Sequence, residues 1–223
     1  MKNKILQFIY DLIVPRRCTF CHKVIGFLPA CPYCKDDVEK LSLGVDRCLD
    51  IKQRGLKYLD VAFACYRNDG EPRKNVLNMK FGDNRFLLDT QAVEVAKLAK
   101  ELPFSFDMVI PVPSNKKSLK QRGYDVTMTL AKKVSTECDI PLANDLLVKI
   151  IDTPPQHSLG YSRRRGNLSG SMQVTSFHKI ANKSILVVDD ILTTGSTMEY
   201  CAKLLKAYDA LRVVAITFVA GEK

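Results

Sequence analysis

One short segment constrains this chain more than any other: Ser184-Ile185-Leu186-Val187-Val188-Asp189-Asp190-Ile191-Leu192-Thr193-Thr194-Gly195-Ser196-Thr197. An apolar run over Ser184 to Val188 has the length and β-branched content of a buried strand. It leads into two carboxylates. A loop of small hydroxyl residues and one glycine then opens a helix over residues 196–208. Backbone N–H groups at a helix N-terminus lack intrahelical acceptors and favour an anion. The hydroxyls of Thr193, Thr194, Ser196 and Thr197 add donors, and Gly195 allows close approach of the main chain. Asp189 and Asp190 are unsuited to gripping phosphate, because like charges repel. They suit sugar hydroxyls, whose protons they accept, or a hydrated Mg2+. A phosphorylated ribose meets both demands. At the carboxyl end of a parallel strand, such a turn stands where open α/β sheets bind ligands.

The rest of the chain alternates strand and helix patterns. Residues 61–66 and 108–112 read as strands, 213–219 as the last strand. Residues 72–81, 86–102 and 124–138 read as helices, with Asp125 as a candidate cap. The alternation implies an α/β fold with a parallel sheet flanked by helices. Lys116 and Lys117 lie in a basic loop after the second strand, with Lys120 and Arg122 close behind, well placed to receive a pyrophosphate. Residues 152–170 have no steady period. They carry Gln156, His157, Arg163, Arg164, Arg165 and Asn167, and read either as a mobile basic loop that closes over a diphosphate or as a solvated surface loop.

Cys18-x2-Cys21 and Cys31-x2-Cys34 stand apart from this pattern, nine residues separating the two pairs. Two tight turns offering two thiolates each complete a tetrahedral four-thiolate site, the usual arrangement for structural zinc. Such a site leaves no open coordination position, and its binding energy folds segments too small to build a core. His22 is superfluous beside four thiolates. Cys48, Cys65, Cys138 and Cys201 have no such pairing. The chain therefore divides into an N-terminal zinc-binding module with a linker, residues 1–58, and an α/β domain, residues 59–223.

Composition excludes several classes. With 46% apolar and 26% charged residues, the 223-residue chain can bury a core and is not globally disordered. No uncharged apolar run reaches the roughly 18–20 residues that span a bilayer. The amphipathic N-terminus has no small-residue cleavage site, so it does not read as a signal peptide, and the cytoplasm is the expected compartment. That segment reads either as a helix packed on the cysteine module or as a peripheral contact with the inner face of the membrane. A formal net charge of +10 suits polyanions, or is simply a solvated basic surface.

The segment from Ser184 to Thr197 resembles the phosphoribosyl diphosphate signature of type I phosphoribosyltransferases, hydrophobics-Asp-Asp-x-x-x-Thr-Gly-x-Thr. The paired CxxC motifs, Val109-Ile110-Pro111-Val112-Pro113, Arg122-Gly123-Tyr124, and Gln156 with Arg164-x-x-Asn167 extend the likeness to nearly the whole chain, which resembles the ComF family of competence-associated proteins. The resemblance implies a type I phosphoribosyltransferase fold behind a zinc finger, with structural Zn2+ and with Mg2+ accompanying phosphoribosyl diphosphate. It implies that Asp189 and Asp190 hold the ribose, Thr193, Thr194, Gly195, Ser196 and Thr197 the 5-phosphate, and Lys116, Lys117 and Arg122 the pyrophosphate. Asp189, Asp190 and Arg164 are then the candidate catalytic residues. It also implies a role in natural transformation, handling incoming single-stranded DNA beside a helicase-like ATPase.

Two departures from the family pattern stand out. Only Cys48 remains where many members have a further cysteine pair. Asp125-Val126 stands where the family usually has Asn-Gln. The functional readings are a pentosyl-transferring enzyme whose nitrogenous acceptor the sequence does not name, a nucleic-acid-binding competence factor, and a phosphoribosyl-diphosphate-binding regulator without turnover. Trp is absent, so base stacking would fall to Phe20, Phe27, Tyr33 and Tyr161.

Overall fold

Among the described residues, the apolar runs form a four-stranded, wholly parallel sheet in the order β1 (Val61–Arg67), β6 (Arg212–Ala220), β5 (Ser184–Leu192), β2 (Met108–Pro111). The computed structural model describes residues 17–26, 28, 30–82, 84–150 and 170–221. The amphipathic N-terminus, Phe27, Tyr161 and the basic stretch with Gln156, His157, Arg164 and Asn167 lie outside the described residues.

The elements in chain order are α1 (Lys35–Leu41), β1 (Val61–Arg67), α2 (Gly70–Phe81), α3 (Phe86–Glu101) and β2 (Met108–Pro111). There follow α4 (Lys116–Arg122), α5 (Val126–Cys138), β3 (Leu147–Lys149) and β4 (Met172–Val174). β5 (Ser184–Leu192), α6 (Ser196–Lys206) and β6 (Arg212–Ala220) complete the set. β3 and β4 form a separate antiparallel pair.

The sheet is buried on both faces, which is why its strands read as nearly continuous apolar runs. Side chains alternate between two cores. Leu186, Val188, Val109, Val214, Ile216 and Phe218 pack with α3 and α5. Ile185, Val187, Ile110, Val213 and Ala215 pack with α6 and the β3–β4 pair. The four apolar residues Ile185 to Val188 are each fully withdrawn from solvent. Each such side chain contributes roughly 1.5–3 kcal/mol by burial, which ties the strand firmly to the centre of the fold.

Three elements differ from the sequence expectation. β5 runs on to Leu192 rather than stopping at Val188, because the equally long β6 keeps pairing with it, Asp189 opposite Thr217 and Leu192 opposite Ala220. The basic loop after β2 is the helix α4. Its cap is Asn115, whose side chain accepts from Lys117 N and Ser118 N, and it ends at Gly123 in the left-handed region.

The third difference is the linker. Residues 42–59 are packed rather than free. Leu49 bridges Ala62 and Ser42 bridges Tyr66, while Leu56 and Leu59 are buried in the core. Glu199 fixes the end of this strap: its carboxylate accepts hydrogen bonds from the backbone N–H groups of Lys57, Tyr58 and Leu59.

Candidate phosphoribosyl site and cysteine centre

A cavity of about 300 Å³ opens at the carboxyl ends of β5 and β2. Asp189, Asp190 and residues 191–198 form one wall, Val112 to Asn115 with Ser118, Leu119 and Arg122 another, and Val76, Leu77, Lys80 and Phe81 of α2 a third. The sequence brought the first two walls together. Lys116 and Lys117 are exposed on the first turn of α4, outside that lining, so Ser114, Asn115, Ser118 and Arg122 present this element to the cavity.

The hydroxyl-rich turn is held from behind. Gly195 has φ +81° and caps α6. A Cβ there would lie 2.7 Å from the Leu56 side chain, so glycine is required by conformation and by contact. Arg54, only 5% exposed, donates from its guanidinium to Thr193 O and to Gly221 O. The hydroxyls of Thr194 and Ser196 are buried and 2.8 Å apart, bonded to each other. Thr193 and Thr197 are the more exposed hydroxyls of the turn.

Successive residues of a strand start out toward opposite sides, yet the two carboxyl groups stay close enough to interact. Asp190 turns toward α2, where Lys80 Nζ lies 2.6 Å from Oδ2. Asp189 lies on the parity of the α6 core, and its Oδ1 accepts from Asp190 N at 2.8 Å. Burial, then the charge of Asp190, holds the Asp189 carboxyl well above the usual carboxylate range, and Lys80 opposes the shift.

Lys80 is the residue that sequence reasoning missed. A single lysine in the last turn of a helix looks like an ordinary favourable partner of the helix dipole, and nothing local points it at a carboxylate 110 residues away. Asp125, by contrast, is the cap of α5, accepting from Met128 N as well as from the Ser114 and Thr127 hydroxyls. Its departure from the family pattern thus serves the start of a helix and ties it to the wall of the cavity.

The four paired cysteines converge. All four Sγ atoms lie within 4.8 Å of one another, with Cys18–Cys34 at 3.4 Å and Cys21–Cys31 at 3.5 Å. Zn–S bonds of about 2.3 Å in a tetrahedron place sulfurs about 3.8 Å apart, so the donor set fits such an ion. His22 is turned against Phe86, ring centroids 4.5 Å apart, and is no member of the cluster. Cys65 and Cys201 are buried singly, while Cys48 is exposed.

The module is anchored to the sheet by Phe20, which meets Tyr66 at 5.4 Å and Phe218 at 6.3 Å between centroids. Phe20 is therefore committed to packing, not presented for base stacking. Tyr33 is 61% exposed, with Lys23 Nζ 4.4 Å from its ring centroid. The module also holds α2. Asn75, fully buried, donates to Thr19 O at 3.1 Å and accepts from Gln91 at 2.9 Å, and Asp37 accepts from Glu71 N at 2.9 Å. Among the described residues no helix is long and apolar enough to cross a membrane.

Residues 92–223 match the phosphoribosyl transferase domain family. The chain is 26% identical over 197 residues to competence protein F of Haemophilus influenzae, covering 85% of this chain and 83% of that protein. It is 27% identical over 99 residues to the DNA utilization protein YhgH of Escherichia coli, covering 44% of this chain and 43% of that one. Among solved structures, the glutamine phosphoribosylpyrophosphate amidotransferase of B. subtilis, complexed with ADP and GMP, superposes with a TM-score of 0.42 and 19% identity over 58% of this chain and 26% of that one. A parallel sheet with its Asp-Asp strand and hydroxyl turn, preceded by a cysteine cluster fit for a metal, thus has the type I phosphoribosyltransferase fold, and the chain, similar to competence protein F, belongs to the phosphoribosyl transferase domain family.

Proposed function

We propose that this protein binds phosphoribosyl diphosphate in the cavity beside β5 and acts in DNA uptake. The observation that carries the reading is the convergence of Asp189, Asp190, the Thr193–Thr197 turn and Arg122 on one cavity. The turn would take the 5-phosphate through the first amides of α6 and the hydroxyls of Thr193 and Thr197. The carboxylates would accept from the ribose hydroxyls. Arg122 and Lys149, which line the same cavity, would face the diphosphate.

The carboxylate pair offers Mg2+ no cage, since Asp190 is already engaged by Lys80. A hard cation that keeps much of its water fits better on the diphosphate oxygens, where it would neutralise a leaving group. The cysteine centre would hold one structural Zn2+, closed by four thiolates. Residues 1–58 would then serve as metal module and strap, and 59–223 as the transferase domain. Transfer of the pentosyl group would need loss of pyrophosphate from the anomeric carbon, with the carboxylates beside the developing oxocarbenium charge.

The DNA role is supported by the printed names of the relatives, competence protein F and DNA utilization protein, and by a net charge of +10. The setting we propose is the cytoplasmic side of the membrane, on incoming single strands beside an ATPase. Calorimetric titration with phosphoribosyl diphosphate and Mg2+, with and without a short single-stranded oligonucleotide, tests it. Mg2+-dependent binding that Asp189→Ala with Asp190→Ala abolishes is the expected result. Absence of binding, with salt-sensitive oligonucleotide binding retained, would remove the enzyme reading and leave a nucleic-acid-binding factor.

A further inference from the structure

The Lys80–Asp190 pair is withdrawn from solvent as the surface ion pairs of this protein are not. Nζ and Oδ2 are 2.6 Å apart, and the two side chains are only 18% and 7% exposed. The lysine is delivered by a helix fixed along its length. Asp69 caps its N-terminus, Asp37 accepts from Glu71 N, and the buried Asn75 joins it to both Thr19 and Gln91. Lys80 follows Asn75 by five positions, little more than one helical turn, so the ammonium cannot drift far while that anchor holds.

Two neighbouring carboxylates at the base of a cavity repel each other, and more strongly the further they lie from bulk water. Such a pair is relieved by a proton, by a metal ion or by an organic cation. A proton removes the capacity of a carboxylate oxygen to accept from a ribose hydroxyl. A metal ion would have to displace Lys80 from Oδ2, at the cost of a close, largely buried ion pair.

We infer that Lys80 is the resident cation of the Asp189–Asp190 pair, so that the ribose 5-phosphate portion of the ligand is recognised without a divalent ion. This rests on the phosphoribosyl reading above. Lys80 acts through Asp190: it lies against that carboxylate as its counter-charge and holds it aimed at the cavity. Mg2+ is then needed for the diphosphate alone. Two ligands separate the two roles, since ribose 5-phosphate lacks the diphosphate and phosphoribosyl diphosphate carries it.

The test is calorimetric titration of the metal-loaded protein with ribose 5-phosphate, once with EDTA added just before injection and once with Mg2+. Wild type should bind equally in both buffers. Lys80→Met should lose roughly ten-fold or more in the Mg2+-free buffer and recover most of it with Mg2+, because the divalent ion takes the vacated place. Lys80→Arg should retain binding without Mg2+. A merely structural lysine would give a loss that Mg2+ does not restore. That result, or unchanged binding by Lys80→Met in EDTA, would overturn the assignment while leaving the pocket intact. Failure of wild type to bind ribose 5-phosphate in either buffer would instead overturn the phosphoribosyl reading and this inference with it. Cysteine-bound metal and thermal midpoint, measured on each variant, separate misfolding from loss of the cation.

Discussion

Arg54 and Thr193 are 139 positions apart and joined by a hydrogen bond of 2.8 Å from the guanidinium to the carbonyl. The same guanidinium reaches Gly221 O. The segment between the cysteine module and the sheet thereby sets the backbone that would cradle a phosphate. Arg54→Met should strand two carbonyls and lower stability by roughly 1.5–3 kcal/mol. Affinity for phosphoribosyl diphosphate should fall about ten-fold, the equivalent of about 1.4 kcal/mol. Metal content should not change. Denaturant melts, calorimetry and metal analysis on one preparation check all three.

Gly195→Ala should be more damaging to binding than to folding. The new methyl would meet Leu56 and would sit on a residue at φ +81°. Strain of this kind costs about 1–3 kcal/mol, and relief comes most readily by moving the turn itself. Gly195→Ala combined with Leu56→Ala should cost less stability than the two single variants added together but regain little affinity, because the left-handed backbone is still disfavoured. Calorimetry on the single and double variants reads this.

The raised ionisation of Asp189 has a sign that can be measured. Its folded carboxyl titrates well above the ordinary aspartate value of 3.8, from burial first and the charge of Asp190 second. The folded state therefore binds the proton more tightly than the unfolded chain. The stability this contributes is complete below about pH 3.8 and is lost as pH rises through the folded value. Above that folded value the ionised group is a burden on the fold. Asp189→Asn should raise the thermal midpoint at pH 7 and leave it little changed near pH 3.8, while abolishing ligand binding. Asp190→Asn should do the opposite to stability, since it leaves Lys80 without its partner. Thermal melts across pH distinguish the two.

Metal removal should reach the cavity through α2. Chelation, or Cys31→Ser, should release the ion and loosen the module whose Thr19 carbonyl and Asp37 carboxylate hold that helix. Asn75→Ala should keep the metal yet reproduce part of the fall in phosphoribosyl diphosphate affinity. Retained affinity in the metal-free protein would show that α2 stands without the module. Metal analysis paired with calorimetry gives the answer.

Local chemistry made much of this molecule readable. Ser184 to Thr197 carries its own strand, turn and cap, and the cysteine spacing carries its own geometry. Both appear where the sequence put them. Lys80, Arg54 and Leu56 were not readable, because each acts on a residue more than 100 positions away and none has a distinctive local pattern. The strap over residues 42–59 looked like a linker because its charges and glycines dominate it. A few buried residues, Arg54, Leu56 and Leu59, fix it instead. Lys116 to Arg122 looked like a loop because a seven-residue helix has too few turns to show a period.

The sheet order also dictates a sequence of events on the ribosome. The cysteine cluster closes over 16 positions and can capture its ion as soon as that short stretch has emerged. β6 lies between β1 and β5, so the early and late strands have no common neighbour until residues 212–220 are made. Arg54 finds its second carbonyl only at Gly221. A nascent chain can thus bring its four cysteines together early, while the sheet that carries the cavity closes last.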